Sequence, residues 1–210
     1  MNLCFWFIYI LSHFGLYKFA KSKLTYEKQT LYNNFADKRP LLCCNYRINN
    51  FNDVFSNIIY LLSGLYQIYY NDLYLGITCV LVSIGSCYYH LQPTMKTLFY
   101  DRLPMQIAFT FVLYNKINFI IYEQVFLGLY NIGILFYWSY TYDLIPYASC
   151  QLSIILYWVL FDANMIIPII LYIIAKICED YDLIIYNYTN KQISGHTLKH
   201  IISGLAIFYV

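Results

Sequence analysis

Three of the four histidines in this chain stand at spacings that suit a zinc enzyme. His196 and His200 belong to Gly195-His196-Thr197-Leu198-Lys199-His200, at the start of the last hydrophobic stretch. His90 closes an earlier one, Gly85-Ser86-Cys87-Tyr88-Tyr89-His90, and Asp101 follows eleven residues later. A separation of four stacks His196 over His200 on one helix face, and likewise Ser86 over His90. Two imidazoles one turn apart can share a metal. A third from another helix leaves a fourth position open for water, the arrangement of a catalytic rather than a structural zinc.

The elements that must carry these residues are membrane helices. The 210-residue chain is 60% hydrophobic and only 11% charged, where a soluble domain carries about 25% charged residues. Mean hydropathy is +0.51. Eight apolar stretches, near 3–17, 54–71, 73–90, 98–122, 125–142, 144–161, 163–178 and 194–210, approach the length of a bilayer-crossing helix. None shows strand alternation, and backbone in lipid needs closed hydrogen bonding. Asp72, Asp143 and Asp162 are nearly all that separates some neighbours. No repeat or low-complexity linker divides the chain, so the expectation is one all-α, polytopic membrane bundle. Residues 1–20 would form an extra N-terminal helix or signal anchor, and 52–210 a seven-helix core. The first stretch lacks a preceding basic residue and a clear small-residue cleavage site, which favours a retained helix over a signal peptide. His13 within it reads as a packed side chain.

Charge distribution orients the bundle. With the 18–53 loop in the cytoplasm, alternation puts 91–102 and 176–199 on the same side. Those segments hold Lys18, Lys21, Lys23, Lys28, Lys38, Arg39, Arg47, Lys96, Arg102, Lys176, Lys191 and Lys199; Lys116 alone falls elsewhere. This is positive-inside bias. The same parity brings His90, Asp101, His196 and His200 to one membrane face, whereas a miscount by one span would split them. The seven Cys include one adjacent pair, Cys43-Cys44, and no C-x-x-C; they read as small buried hydrophobes rather than a disulfide framework. The abundant Tyr reads as compositional bias and supports no nucleic-acid partner.

Each candidate also has a bland reading. Asp101 could be a helix-end carboxylate beside Arg102. Ser86 could be a helix-packing hydroxyl, His196 and His200 could be interfacial, and Lys199 reads as a snorkelling lysine. The joint pattern favours a site, because ionisable groups within spans are costly.

Phe35-Ala36-Asp37-Lys38-Arg39, Asn52-Asp53-Val54-Phe55-Ser56-Asn57, Gly85–His90, Asp101-Arg102-Leu103-Pro104-Met105 and Ser194–His200, in this order and spacing, resemble the alkaline ceramidase family. The likeness is nearest to that family's bacterial and plant-like branch, within the CREST superfamily of seven-helix membrane hydrolases. It runs from about Phe35 to the C-terminus. It implies a zinc ion on His90, His196 and His200, with Ser86 and Asp101 beside the water that attacks. It also implies a ceramide-like lipid substrate taken from the bilayer, with no obligate protein partner, and residence in the endoplasmic reticulum or Golgi with the site toward the cytoplasmic face. Animal members of the family carry a calcium site; Asp37, Asn50, Asn52 and Asp53, beside Lys38 and Arg39, make a poor hard-cation cage, and calcium is not expected. Two rival readings share the superfamily fold: an acyl-ester hydrolase of the kind that remodels GPI-anchor lipids, and a receptor resembling the progestin and adiponectin receptors.

The orientation is testable. Asn187-Tyr188-Thr189 is a glycosylation sequon in the 179–193 loop. With that loop cytoplasmic, Asn187 stays unmodified in a glycosylating host, while an acceptor sequence inserted after Asp162 is modified. Glycan in the 179–193 loop and none after Asp162 would invert the topology.

Overall fold

The computed structural model describes residues 3–23, 35–37, 39–43, 46–70, 72–116 and 120–210. Lys28, Lys38 and Cys44 lie outside the described residues. In chain order the elements are α1 (Leu3–Lys23), β1 (Leu41–Cys43), β2 (Tyr46–Ile48), α2 (Phe51–Phe55), α3 (Ile58–Tyr70), α4 (Leu73–Leu91), α5 (Met95–Lys116), α6 (Ile121–Thr141), α7 (Ile145–Phe161), α8 (Ile166–Asp180), α9 (Asp182–Tyr188) and α10 (Gly195–Ala206), with short 3-10 turns at Ala163–Met165 and Ile207–Tyr209. The protein is predominantly helical, as its composition requires. The strands form one small antiparallel hairpin, Leu41 opposite Ile48. Each of the eight apolar stretches contains a helix.

The aspartates that separate these stretches start helices. Asp72 accepts from the backbone N–H of Tyr74 and Leu75 at 2.8 and 3.1 Å, Asp143 from Ile145 at 3.0 Å, and Asp162 from Asn164 at 3.0 Å. A carboxylate there satisfies orphan donors and suits the positive end of the helix dipole. Pro146 follows in the first turn of α7, where its missing N–H costs nothing.

By length and composition α4 is the one described helix able to cross a bilayer unaided; α7 is apolar but shorter, at 17 residues. Three of the other helices fall short for visible reasons. α3 has 13 residues and α8 has 15, and α5 carries Lys96, Asp101, Arg102 and Lys116.

The chain divides into two compact units, Met1–Gln29 with Met105–Ile166, and Thr30–Pro104 with Ile167–Val210. In the first, α1 packs on α7 and α6 on α7. Its interior is unexpectedly polar. Tyr9 Oη donates to Asn131 Oδ1 (3.1 Å), Cys150 Sγ lies 2.8 Å from the same oxygen, and Asn131 Nδ2 donates to Thr110 Oγ1 (2.8 Å). Such a network fixes helix register because each unpaired member would be buried without a partner. His13 is buried against Tyr9 and Tyr130, the packed position expected for it.

The second unit holds the candidate site. α3 lies along α4, α10 packs on α3, and the short α2 touches both α4 and α10. Backbones come close where glycine allows it. A Cβ on Gly85 would strike the carbonyl of Tyr100, and one on Gly195 the carbonyl of Cys178. Each of these glycines immediately precedes a candidate site residue, Ser86 or His196. Among the described residues Cys79, Cys87, Cys150 and Cys178 are free thiols, the first and third buried, in keeping with their reading as small hydrophobes.

Candidate metal centre

α4 delivers His90 from its last turn and α10 delivers His196 and His200 from its first two, and all three side chains are buried. Their ring nitrogens lie within 4.8 Å of one another. His90 Nε2 and His196 Nε2 are 3.2 Å apart. Two nitrogens on a tetrahedral ion at about 2.0–2.1 Å stand about 3.3–3.4 Å apart, so the pair fits a shared ion without rearrangement. The group can hold a metal ion.

Groups behind the ligands matter as much as the ligands. His200 Nδ1 lies 2.8 Å from Ser56 Oγ. His196 Nδ1 lies 3.8 Å from Glu179 Oε1, and Lys199 Nζ sits 2.7 Å from that same oxygen. Burial works against a charge on Glu179, but Lys199 and Lys176 outweigh it and hold the carboxyl down at about 2. Lys199 is therefore not a snorkelling lysine. It is four-fifths covered and turned toward a carboxylate that faces a candidate ligand.

The start of α10 is fastened from several sides. Ser194 Oγ accepts from Thr197 N at 2.9 Å as the helix cap. Asp53 Oδ1 accepts from Thr197 Oγ1 (2.7 Å) and Ser194 Oγ (3.1 Å). Burial pushes the Asp53 carboxyl up to about 7 against the pull of those two hydroxyls. Asp182 accepts from His196 N at 2.8 Å with one oxygen and from Ala36 N at 2.8 Å with the other. An insertion after Asp182 would break this bracket. An acceptor sequence added to the 179–193 loop for the topology test belongs instead at the exposed Asn190–Lys191 turn, whose φ angles are 53° and 64°. Phe35, beside Ala36, lays its ring 4.1 Å from His196 and 4.8 Å from His90, centroid to centroid.

Ser86 and Asp101 lie on α4 and α5. Ser86 is buried on the His90 face of α4, and the Asp101 carboxyl, whose Oδ1 is sealed from solvent, lies beside its hydroxyl. The pair shares surroundings with the imidazoles. Tyr60 feels Asp101 electrostatically and packs its ring 6.1 Å from His200, and Lys199 acts on Asp101 and on all three histidines. The Asp101 Oδ1 is buried with no hydrogen-bond partner among the described residues.

The residues considered for calcium are otherwise engaged. Asp37 is held by Arg39 through Nε and Nη2, both at 3.0 Å. Asp53 faces Ser194 and Thr197, Asn50 donates to the His90 carbonyl (3.2 Å), and Asn52 to the Gln192 carbonyl (3.0 Å).

Sequence spacing did not disclose Ser56, Glu179 or Asp182 as supports. Ser56 had a signal, since it lies in one of the motifs that carry the family resemblance. Glu179 and Asp182 look like ordinary loop acids, and only the fold turns them toward α10.

No protein-family model and no curated protein matches this chain.

Removing the Asp53 carboxylate should loosen α10. Asp53→Ala strips two buried hydroxyls of their acceptor, and hydrogen bonds to charged groups contribute roughly 1.5–3 kcal/mol each. A loss of about 3 kcal/mol is expected in denaturant unfolding of the purified protein, against a near-neutral Asn52→Ala control. Equal stability of the two variants would contradict the role given to Asp53.

Proposed function

We propose that this chain is a zinc-dependent, multi-pass membrane hydrolase that cleaves the N-acyl bond of a ceramide-like lipid to a sphingoid base and a fatty acid. The observation that carries this reading is the convergence of His90, His196 and His200 within 4.8 Å, with a Ser86–Asp101 pair in the same surroundings. The motif resemblance supports the substrate class.

Support for lipid surroundings comes from the outer faces of the helices. On α4, Leu73, Ile77, Leu81, Ile84, Tyr88 and Leu91 are exposed, while Ser83, Ser86 and His90 are buried. On α8, Ile166, Ile167, Ile170, Ile173, Ile174 and Ile177 are exposed. An apolar face turned outward and a polar face turned inward suits a helix whose solvent is hydrocarbon. Large exposed apolar faces of this kind mark interaction with lipid or with other proteins, and composition favours lipid. Several short helices, none of which need cross alone, account for a bundle in which α4 is the clearest span. The basic loops put the site toward the cytoplasmic face, and the resemblance points to the endoplasmic reticulum or Golgi.

His90, His196 and His200 would hold the ion and leave one side open. A zinc ion there supplies Lewis acidity, bringing a water's pKa toward about 7 and polarising an acyl carbonyl. Asp101 accepts the proton of the attacking water and passes it to the departing amine, so that the sphingoid base leaves neutral. Once Asp101 has taken that proton it can donate to Ser86 Oγ, which frees the Ser86 hydroxyl proton for the oxyanion that forms as the carbonyl becomes tetrahedral, a contact typically worth about 3 kcal/mol in the transition state. The amide of ceramide lies at the headgroup boundary, and a site near one membrane face meets it there.

Two measurements test this reading. Metal analysis of purified protein should find one zinc per chain, and the His196→Ala, His200→Ala double variant should hold none; full occupancy in that variant would refute the assignment. Asp101→Asn should keep its zinc and lose about 10²–10⁴ in hydrolysis rate, read as fatty acid released from ceramide in detergent micelles. An active Asp101→Asn enzyme would return Asp101 to the role of a helix-end charge.

A further inference from the structure

Ser56 occupies a distinctive place behind the three histidines. It follows α2 directly and is buried. Its Oγ sits 2.8 Å from His200 Nδ1 and 3.1 Å from the backbone carbonyl of Asp53. A hydroxyl has one proton to donate and lone pairs to accept with. A carbonyl can only accept, so the Ser56 proton goes to Asp53. The hydroxyl oxygen then faces Nδ1 as an acceptor. The imidazole proton is thereby assigned to Nδ1, and Nε2 keeps its lone pair for the space shared with His90 and His196.

We propose that Ser56 is a positioning residue that fixes the Nδ1–H tautomer of His200 and so presents Nε2 as a metal ligand. This rests on the reading of the three histidines as a metal centre. The three supports differ in chemistry. His200 has a neutral hydroxyl, and His196 has the ionised Glu179 at 3.8 Å. His90 Nδ1 is buried with no hydrogen-bond partner among the described residues. Ser56 thus gives the one close, directional contact by which a side chain outside the cluster decides a ring's tautomer.

The same geometry explains why α2, only five residues long, is wedged against α4 and α10. Asp53 grips the first turn of α10 through Ser194 and Thr197 with its carboxylate, and meets Ser56 with its carbonyl. One short helix therefore sets both where α10 begins and which nitrogen of His200 looks inward.

The test uses full-length protein in detergent, with ¹⁵N-labelled histidine. In the metal-free wild type, nitrogen shifts should show His200 with hydrogen on Nδ1; hydrogen on Nε2 would overturn the proposal before any variant is made. In Ser56→Ala, zinc affinity measured by chelator competition should fall about tenfold, the lower part of the range for such supporting groups, and the Nε2–H form of His200 should appear. Ser56→Thr, which restores the hydroxyl, should recover both. Wild-type affinity together with an unchanged His200 tautomer in Ser56→Ala would overturn the proposal. If Ser56→Ala does not fold, the wild-type spectrum and Ser56→Thr still decide it. A wild-type protein that binds no zinc yet shows the Nδ1–H tautomer would refute the metal reading and leave the assignment of the proton to Ser56 standing.

Discussion

Three imidazoles whose nitrogens lie within 4.8 Å of one another, all buried, set the constraint that the rest of the second unit obeys. Protonated together they would place three cations in contact away from water, a cost that no neighbouring carboxylate could cover. They cannot all be charged, and the 3.2 Å between His90 Nε2 and His196 Nε2 suits a hydrogen shared between the two rings as well as an ion. Crowded lone pairs repel unless something positive sits among them. A cluster built this way makes physical sense around a cation, and 3.2 Å between His90 Nε2 and His196 Nε2 is about the spacing a tetrahedral ion imposes.

Everything nearby serves to keep those rings in place. His196 and His200 depend on where α10 starts, and its start is tied to Asp53, Asp182 and the capping Ser194. None of these ties uses a ring nitrogen, so the backbone can be secured without competing for the ligand atoms. Gly195 lets α10 begin against the carbonyl of Cys178, bringing Glu179 and Lys199 within 2.7 Å of each other. Lys199 keeps Glu179 ionised while meeting it more closely than His196 does. The net result beside His196 is a carboxylate already paired with a lysine, 3.8 Å from the ring.

Much of this was legible in the sequence because spacing and polarity follow from helix geometry. Ser86 and His90, like His196 and His200, had to share a face once their segments were helical, and helical they had to be in so apolar a chain. Asp72, Asp143 and Asp162 stood out as interruptions and prove to be helix caps. The supports were less visible, because a support is defined by what faces it across the fold. Glu179 is one of several loop acids until α8 and α10 meet. Lys199 looked like a surface lysine because helix position alone cannot show an acid on a neighbouring helix. The polar interior of the first unit, with Tyr9, Asn131 and Cys150 in contact, escaped notice for the same reason. Each residue sits alone in an apolar run, and only packing turns three isolated polar atoms into one satisfied network.

The division of labour between α4, α5 and α10 also has a physical logic. A proton-transferring carboxylate must be near the ligands without becoming one, since a carboxylate oxygen would compete well for a hard or borderline cation. Asp101 is kept in this intermediate position by two features. Its carboxyl lies beside the Ser86 hydroxyl, and its backbone is held where α5 meets α4. That meeting is as close as two chains can come, because Gly85 presents no Cβ to the Tyr100 carbonyl. A larger residue at Gly85 would push α5 outward and carry Asp101 away from Ser86, while His90, one turn beyond Ser86 on α4, would keep its place. The position of Asp101 can therefore change independently of the three histidines, and in this fold a single glycine sets how closely the Asp101 segment approaches α4.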